Sequence, residues 1–402
     1  MQTLLKPLSS GLNRVLIPLL LCCIASPVSA GEFTGFFAME HRQFFNDGTY
    51  PEQKHGSKPS LIIEPEYYHL SDDENNIFTS QLFLRLDPID SRRTHFDVRQ
   101  FDWLYADGDW EFSAGISKVY WGVTESHHLV DIINQVDGVE DVDEEDRLGQ
   151  PMLQLATFQS WGTVRFFYLP YFRERTFVGK KGRLRGPLVV QTKDARYSSK
   201  AKEMYPDVAL RYEHSFDAWD MGLAHFHGTS REPTLLEESE KLIPFYEIID
   251  QSSLDLQYTT GSWLWKLEVI GRGGHGKYFG AVTAGGEYSV YGIFETNHDL
   301  GLLLECHYDG RDSSAPTANL QNDVFTGLRY ILNNVDDTQF LGGITTDLKN
   351  TGQLMALEAS HRINNNWKLE ADARLFINQG LDSPIKALEK DDFVQIRTSY
   401  FF

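Results

Sequence analysis

The chain has 402 residues, and its 57 Asp and Glu outnumber its 37 Lys and Arg, which gives a formal net charge of −20 at pH 7. Such a surface repels nucleic acid, so no nucleic-acid partner is expected. After residue 30 the single cysteine is Cys306, which excludes an intramolecular disulfide framework and paired-cysteine metal or redox chemistry. We therefore expect neither a cofactor nor a metal centre.

The first thirty residues differ from the rest of the chain. Lys6 and Arg14 precede an apolar run over 15–24, and a small-residue stretch over 28–30 follows Pro27. This order is typical of a cleavable secretory signal peptide, here over 1–30. The alternative is a short membrane anchor, which is disfavoured because the apolar run is too short to span a bilayer. The mature protein is therefore expected to comprise residues 31–402.

Residues 31–402 are dominated by a period of two. Within 263–270, Trp263, Trp265 and Leu267 share one face of a strand, while Lys266 and Glu268 share the other. About eighteen such segments follow one another, most with the roughly 9 to 11 residues that a tilted strand needs to cross a bilayer. The count is least certain in the weakly alternating stretches 277–298 and 338–350. The sequence thus predicts an all-β fold, a closed antiparallel transmembrane β-barrel of about 16 to 18 strands.

The connections between these segments alternate in length. Short turns are expected at 106–109, 160–162, 217–218, 260–262, 333–337 and 364–366, and long connections at 46–59, 120–151, 171–206, 228–250, 309–322 and 379–392. Short periplasmic turns and long external loops are typical of outer-membrane barrels. Four turns are followed by a tryptophan, at Trp110, Trp219, Trp263 and Trp367. We expect a periplasmic aromatic girdle; the alternative is that these are strand-start core residues of a soluble β protein.

The end of the chain carries a resemblance to known barrels. Val394, Ile396, Thr398, Tyr400 and Phe402 share one face, and the chain ends in Phe402. This segment resembles the last strand of Gram-negative outer-membrane barrels, whose terminal Phe is part of the signal read by the barrel insertion machinery. The whole plan resembles general and substrate-specific porins, and 120–134 is similar to a segment of uncharacterised porin-like families. The resemblance implies four partners: periplasmic chaperones, the insertion machinery, lipopolysaccharide and membrane lipid.

The connection 120–151 is the first candidate functional segment. It joins the fifth and sixth predicted strands, the place of the third external loop of porins, which folds into the barrel and narrows the pore. By that resemblance its polar and charged residues would lie at the constriction: Glu125, His127, His128, Asp131, Asp141, Asp143, Glu144 and Glu145. A ring of carboxylates favours cations over anions. The alternative is a solvated external loop that binds divalent ions or lipopolysaccharide.

The second candidate set is the lumen wall. Alternation turns a row of bases inward, namely Arg85, Arg165, Arg211, Lys266, Arg329, Arg362 and Arg374, together with the acids Glu213, Glu268, Glu305, Glu358, Glu370 and Asp372. Their inward placement is close to forced, because Arg or Lys facing lipid near the midplane costs roughly 2 to 4 kcal/mol. Such a wall either imposes a transverse field on a polar solute or is a salt-bridged wall with little functional role.

These features predict an outer-membrane porin or substrate-specific channel for passive diffusion of small polar solutes, and no enzyme. Two alternatives stay open. A barrel enzyme of phospholipase or esterase type would need a nucleophile and a base. The chain offers His127 with His128, His225 with His227, and His275, but no G-x-S-x-G motif. A structural or adhesin barrel without transport would have a plugged lumen.

Overall fold

The computed structural model describes residues 31–53 and 57–402, so the predicted signal peptide lies outside the described residues. Strands are numbered in chain order, and eighteen of them form one antiparallel sheet. They are β1 (Glu32–Phe44), β2 (Ser60–Leu70), β3 (Asn76–Leu86), β4 (His95–Asp107), β5 (Trp110–Ser117), β6 (Gln150–Gln159), β7 (Gly162–Leu169), β9 (Asp207–Phe216), β10 (Trp219–Thr229), β13 (Ile248–Thr260), β14 (Trp263–Gly274), β15 (Gly276–Ile293), β16 (His298–Asp309), β17 (Asn322–Ile331), β18 (Gln339–Asp347), β19 (Gln353–Arg362), β20 (Trp367–Ile377) and β21 (Phe393–Phe401).

The sheet closes on itself. β1 pairs with β2 on one side and with β21 on the other, for example through Phe37 opposite Tyr400. Every other barrel strand pairs with its sequence neighbours in the barrel. The prediction of a closed antiparallel barrel of about eighteen strands is confirmed, and each predicted strand has its counterpart. No helix in the part of the chain that the structure describes is long and apolar enough to cross a membrane.

The connections are sorted by side, although less strictly than the sequence predicts. All long connections leave the same end of the barrel, but that end also carries three short ones, at 87–94, 275 and 348–352. The tightest joins β14 to β15 through His275 alone. Gly274 and Gly276 have φ angles of 104° and 65°, which a residue with a side chain rarely adopts. The start of the weakly alternating stretch 277–298 is strand: β15 begins at Gly276, where several glycines obscure the alternation.

A second, small sheet lies in the long connections and was not predicted. It comprises β8 (Arg196–Tyr197), β11 (Thr234–Glu238) and β12 (Lys241–Tyr246), with β12 antiparallel to β11 and parallel to β8. Three short 3₁₀ helices complete the regular structure of the described residues: Thr192–Asp194, Lys202–Met204 and Lys386–Leu388. The connections 170–206 and 230–247 are thus folded against each other.

The outer surface is apolar. Large hydrophobic side chains occupy every second position of the strands on this surface. In β16 these are Leu300, Leu302 and Leu304, of which the last two are exposed. Trp110, Trp219, Trp263 and Trp367 are each the first residue of a strand after a short turn, and all four are exposed. Their service as a membrane girdle stays a prediction. The inward faces, by contrast, carry charged side chains that meet the connection between β5 and β6.

Candidate functional site

The connection between β5 and β6, residues 118–149, lies inside the barrel, and we call it the lumen loop. Its apolar residues pack on inward side chains of β6 to β15 in one buried cluster, which includes Trp121, Val130, Ile132 and Ile133 from the loop and Phe167, Phe226, Ile249 and Ile270 from the wall. Removing the apolar surface of this cluster from water stabilises the docked loop by about 25 cal/mol for each Å² buried. The loop therefore fills one side of the lumen as a fixed part of the structure.

A buried carboxylate of β14 holds the tip of the lumen loop. Glu268 accepts hydrogen bonds from the backbone N–H of Val123 (2.7 Å), Thr124 (3.0 Å) and Val130 (3.1 Å). It also accepts one from the Thr124 hydroxyl (2.7 Å). Hydrogen bonds to an ionised acceptor are about twice as strong as neutral ones. Glu268 thus fixes the backbone of the loop on both sides of residues 125–129.

A second carboxylate, on β16, fixes the residues between these points. Glu305 accepts hydrogen bonds from the backbone N–H of Glu125 (2.8 Å) and Ser126 (2.9 Å) and from the Ser126 hydroxyl (2.5 Å). The Glu125 carboxylate in turn lies 2.6 Å from Arg329 and 3.6 Å from Lys266. The loop tip is therefore held across the lumen against β14, β16 and β17.

The second half of the lumen loop meets arginines on the opposite wall. The ion pairs are Asp137 with Arg99 (2.6 Å), Glu140 with Arg85 (2.5 Å), Asp141 with Arg42 (3.2 Å) and Asp143 with Arg374 (3.1 Å). Glu40 of β1 contacts the same Arg85 and two further guanidinium groups, those of Arg93 and Arg397, each at 2.7 Å. Breaking a buried pair of this kind typically costs 3 to 5 kcal/mol, because the remaining charge stays buried. The acidic run is therefore anchored and is no free external loop.

A cavity of about 630 Å³ remains between the lumen loop and the inner faces of β14 and β17 to β20. It extends from Asn319, in the connection before β17, to Lys266 and Leu341. These two residues lie near the starts of β14 and β18, at the end of the barrel away from the long connections. A second cavity of about 370 Å³ lies on the other side of the loop, lined by β4 to β9. Tyr120 lines both cavities, so this side chain stands between them.

Most of the predicted constriction residues line the larger cavity, namely Glu125, His127, His128, Asp143, Glu144 and Glu145. Asp131 and Asp141 do not line it. Asp131 is buried, accepts a hydrogen bond from the Trp121 N–H at 3.4 Å and lies 3.1 Å from Arg147. Burial raises the pKa of its carboxyl to about 6. Asp141 is tied to the wall by Arg42.

The exposed carboxylates of the cavity are electrostatically coupled to their neighbours. Glu145 lies 3.0 Å from His128. Burial opposes the charged forms of both groups, but this pairing raises the pKa of His128 and lowers that of Glu145. Desolvation inside the barrel and repulsion by Asp141 raise the pKa of Asp143 to about 7. The charge of the cavity therefore changes near neutral pH.

The predicted wall bases all lie on inward faces, where most are neutralised. Arg85, Arg211, Lys266 and Arg374 are buried, and Arg211 makes a bidentate pair with Asp255 at 2.8 and 2.9 Å. Arg165 and Arg329 are half-buried beside carboxylates. The Arg362 guanidinium stacks over the Phe401 ring at 5.8 Å. These contacts match the alternative of a salt-bridged lumen wall better than they match a row of unpaired bases.

Alternation alone identified Glu268, Glu305 and Glu358 as inward acids, but not their role as anchors or lining. Glu40 was missed, although it occupies an inward position between Ala38 and Arg42. The available signal is a carboxylate at an inward position of a strand. The partners of Glu268 and Glu305, however, are backbone N–H groups of a distant loop, and sequence periodicity carries no information about them.

The histidines named as catalytic candidates lie in different parts of the barrel. His225 and His227 are on the outer surface, where His227 contacts Asp250 (2.8 Å) and Tyr205 (2.9 Å). His275 is buried in the single-residue connection. Ser126 lies 3.0 Å from the His307 ring, but its hydroxyl is bonded to Glu305, which also occupies the adjacent backbone N–H groups that could stabilise an oxyanion.

One group among the described residues has metal-like spacing. Ligand atoms of His95, Asp137 and Glu140 lie within 4.8 Å of one another. Arg99 and Arg85 already contact these two carboxylates at 2.6 and 2.5 Å. The guanidinium groups supply the positive charge that a cation would bring. His95, Asp137 and Glu140 therefore belong to the ion-pair network.

Comparisons with known proteins support the fold. No family model and no curated protein matches the chain. A BenF-like porin from Pseudomonas fluorescens Pf-5 superposes with a TM-score of 0.53 at 10% identity, over 94% of this chain and 99% of that one. Wzi of Escherichia coli, described as an outer-membrane protein of capsule assembly and a carbohydrate-binding β-barrel, gives 0.53 at 10% identity, over 98% and 89%. The chain thus has the porin-like fold of Gram-negative outer-membrane barrels.

Proposed function

We propose that this protein is an outer-membrane channel for passive diffusion of small polar solutes, with a preference for cations. The observation that carries the proposal is the unequal exposure of charge in the larger cavity. The side chains of Glu145, Glu358 and Asp143 are 53%, 44% and 31% exposed, whereas those of Arg374 and Lys266 are 5% and 8% exposed. A solute in the cavity therefore meets carboxylates, while the bases lie beneath them.

The physical reason for selectivity is the field of these carboxylates. At about 8 Å each attracts a monovalent cation by roughly 0.5 kcal/mol, even at the dielectric constant of water, and repels an anion equally. Low-dielectric walls focus this field along a narrow passage. Passive diffusion needs no cofactor, and the anchored lumen loop keeps the carboxylates in place as solutes pass.

The proposal includes the location and the partners predicted from the sequence. Residues 1–30 would direct export, Phe402 would be read by the barrel insertion machinery after delivery by periplasmic chaperones, and lipopolysaccharide would surround the external rim. The Phe402 ring packs 5.0 Å from that of Phe37, at the junction where β1 and β21 close the barrel. Phe402 therefore lies at the junction that closes the barrel.

The test is the reversal potential of the refolded protein in a planar bilayer under a potassium chloride gradient. Wild type should prefer potassium. Replacement of the two most exposed carboxylates, Glu145→Gln with Glu358→Gln, should lower the potassium-to-chloride ratio at least about threefold. The matched control Glu237→Gln, in the external strand β11, should leave the ratio unchanged. Equal permeability to both ions in wild type would refute cation preference.

A second candidate is a barrel without transport, which binds a surface carbohydrate. The observation in its favour is the apolar cluster around Val130, which fills one side of the lumen. The likeness of fold to Wzi is compatible with it. The same bilayer experiment separates the two: a folded barrel that inserts without conductance supports the second candidate and refutes the channel.

A further inference from the structure

The larger cavity has two unlike sides. The lumen-loop side presents the carboxylates of Glu125, Asp143, Glu144 and Glu145. The opposite side, made by the inner faces of β17 to β19, presents Phe325, Leu341, Gly343, Leu354 and Ala356. In the described barrel this apolar side adjoins β20, whose inward residues Lys368, Glu370, Asp372 and Arg374 are charged. The apolar character therefore comes from the residues at the inward positions of β17 to β19 and is not shared by the whole wall.

The apolar side is built around an aromatic ring. A Cβ atom added to Gly343 would lie 2.1 Å from the Phe325 ring, and one added to Gly327 would lie 2.8 Å from it. The two glycines thus let the ring lie flat on the strands. Leu341 and Leu354 continue this surface and are only partly buried. Apolar surface left in contact with lumen water costs free energy, and a channel for small hydrated ions does not need it.

A carboxylate stands directly beside this apolar surface. Glu358 is the cross-strand partner of Leu341; one of its carboxylate oxygens accepts a hydrogen bond from Arg374 at 2.8 Å, and the side chain is 44% exposed. Across the cavity, Glu145 offers a second exposed carboxylate. A solute could therefore place a positive group between carboxylates while its body covers the leucines.

From this juxtaposition we infer that the cavity selects organic cations with an apolar body, such as aliphatic or aromatic amines, over hydrophilic cations of equal size. The inference rests on the proposed channel function and names its solute class. Ammonium groups would be held at Glu358 and Glu145, and the body would contact Leu341 and Leu354. Pockets that combine an apolar lining with a few placed polar groups are typical of small-molecule recognition.

The test compares two monovalent cations with equal numbers of non-hydrogen atoms, benzylammonium and the protonated form of tris(hydroxymethyl)aminomethane, at neutral pH. Bi-ionic reversal potentials of wild type should give a benzylammonium preference of several-fold. Contact that buries roughly 50 Å² of apolar surface is worth about eightfold in occupancy. The variant Leu341→Asn with Leu354→Asn should bring the ratio close to one and leave the potassium-to-chloride ratio unchanged.

Two controls keep the outcome decisive. Thr345→Asn, which adds the same amide at a polar position of the same cavity, should preserve the benzylammonium preference. Leu341→Asn alone should lower it partly if the double variant does not refold. Cation preference without discrimination between the two organic cations, or discrimination unaltered by the leucine variants, overturns the inference but not the channel. A wild-type protein that does not prefer potassium over chloride would overturn the proposed function itself.

Discussion

Replacement of Glu268 by glutamine is the most informative perturbation of the lumen loop. The carboxylate has one oxygen bonded to three donors of Val123 and Thr124 and the other bonded to the Val130 N–H. In Glu268→Gln, the amide oxygen can still accept the hydrogen bonds from Val123 and Thr124. The amide NH₂ group, however, then faces the Val130 N–H, which is also a donor. The buried Val130 N–H loses its partner, at about 1 to 3 kcal/mol, and three charge-assisted hydrogen bonds become neutral. We expect the loop tip to lose about 3 to 5 kcal/mol of docking free energy.

Hydrogen–deuterium exchange of the refolded barrel measures this loss. Each 1.4 kcal/mol changes an opening equilibrium about tenfold, so the amides of 123–130 should exchange at least about a hundredfold faster than in wild type, while the strand amides stay protected. The matched control is Glu370→Gln, a half-buried wall carboxylate that pairs with Lys368 at 2.8 Å. Equal exchange of the loop tip in both variants would refute the role of Glu268 as an anchor.

Three further predictions test other parts of the account. Because the pKa of Asp143 is raised to about 7 and a carboxyl gains negative charge as pH rises through its pKa, the potassium-to-chloride ratio should increase between about pH 6 and 8. Reversal potentials should show this increase in wild type and a smaller one in Asp143→Asn, where His128 still loses its positive charge. Phe402→Ala removes aromatic contacts at the closing strands, so folded barrel in the outer-membrane fraction should fall by more than half, and an undiminished yield would contradict this. Asp255→Asn removes the bidentate carboxylate partner of the buried Arg211 and leaves Glu213 at 2.8 Å, so the free energy of unfolding in urea-treated vesicles should drop by about 1.5 to 3 kcal/mol, and a change below 1 kcal/mol would count against a structural ion pair.

The barrel could be predicted from the sequence because its strands obey a single local rule. Charged residues such as Lys266 and Arg374 must face inward, so alternation fixes both the strand and its orientation. The rule fails where side chains are small. Gly276, Gly280 and Gly285 give β15 too little contrast between its two faces, which is why the alternation is weak over 277–298. The small sheet of β8, β11 and β12 depends on pairing between distant loops and leaves no periodic signal.

The candidate site was predictable in composition but not in detail. The acidic run of the lumen loop was identified, yet Asp131 and Asp141 are occupied by Arg147 and Arg42 and do not line the cavity. Which acid is paired and which is free depends on the path of the loop across the lumen. That path is set by hydrogen bonds from backbone N–H groups to Glu268 and Glu305. Backbone groups are the same in every residue, so the sequence cannot specify these contacts locally.

Site-directed modification inside the lumen tests the central claim most directly. Glu145 is the most exposed carboxylate of the cavity, and Glu145→Cys in a Cys306→Ser background provides one thiol there. Single-channel current should be stable before modification and should fall in one step when a trimethylammonium methanethiosulfonate reagent attaches, with the preference shifted toward chloride. Complete labelling of a conducting barrel without any change in current or selectivity would contradict an ion path along the lumen loop.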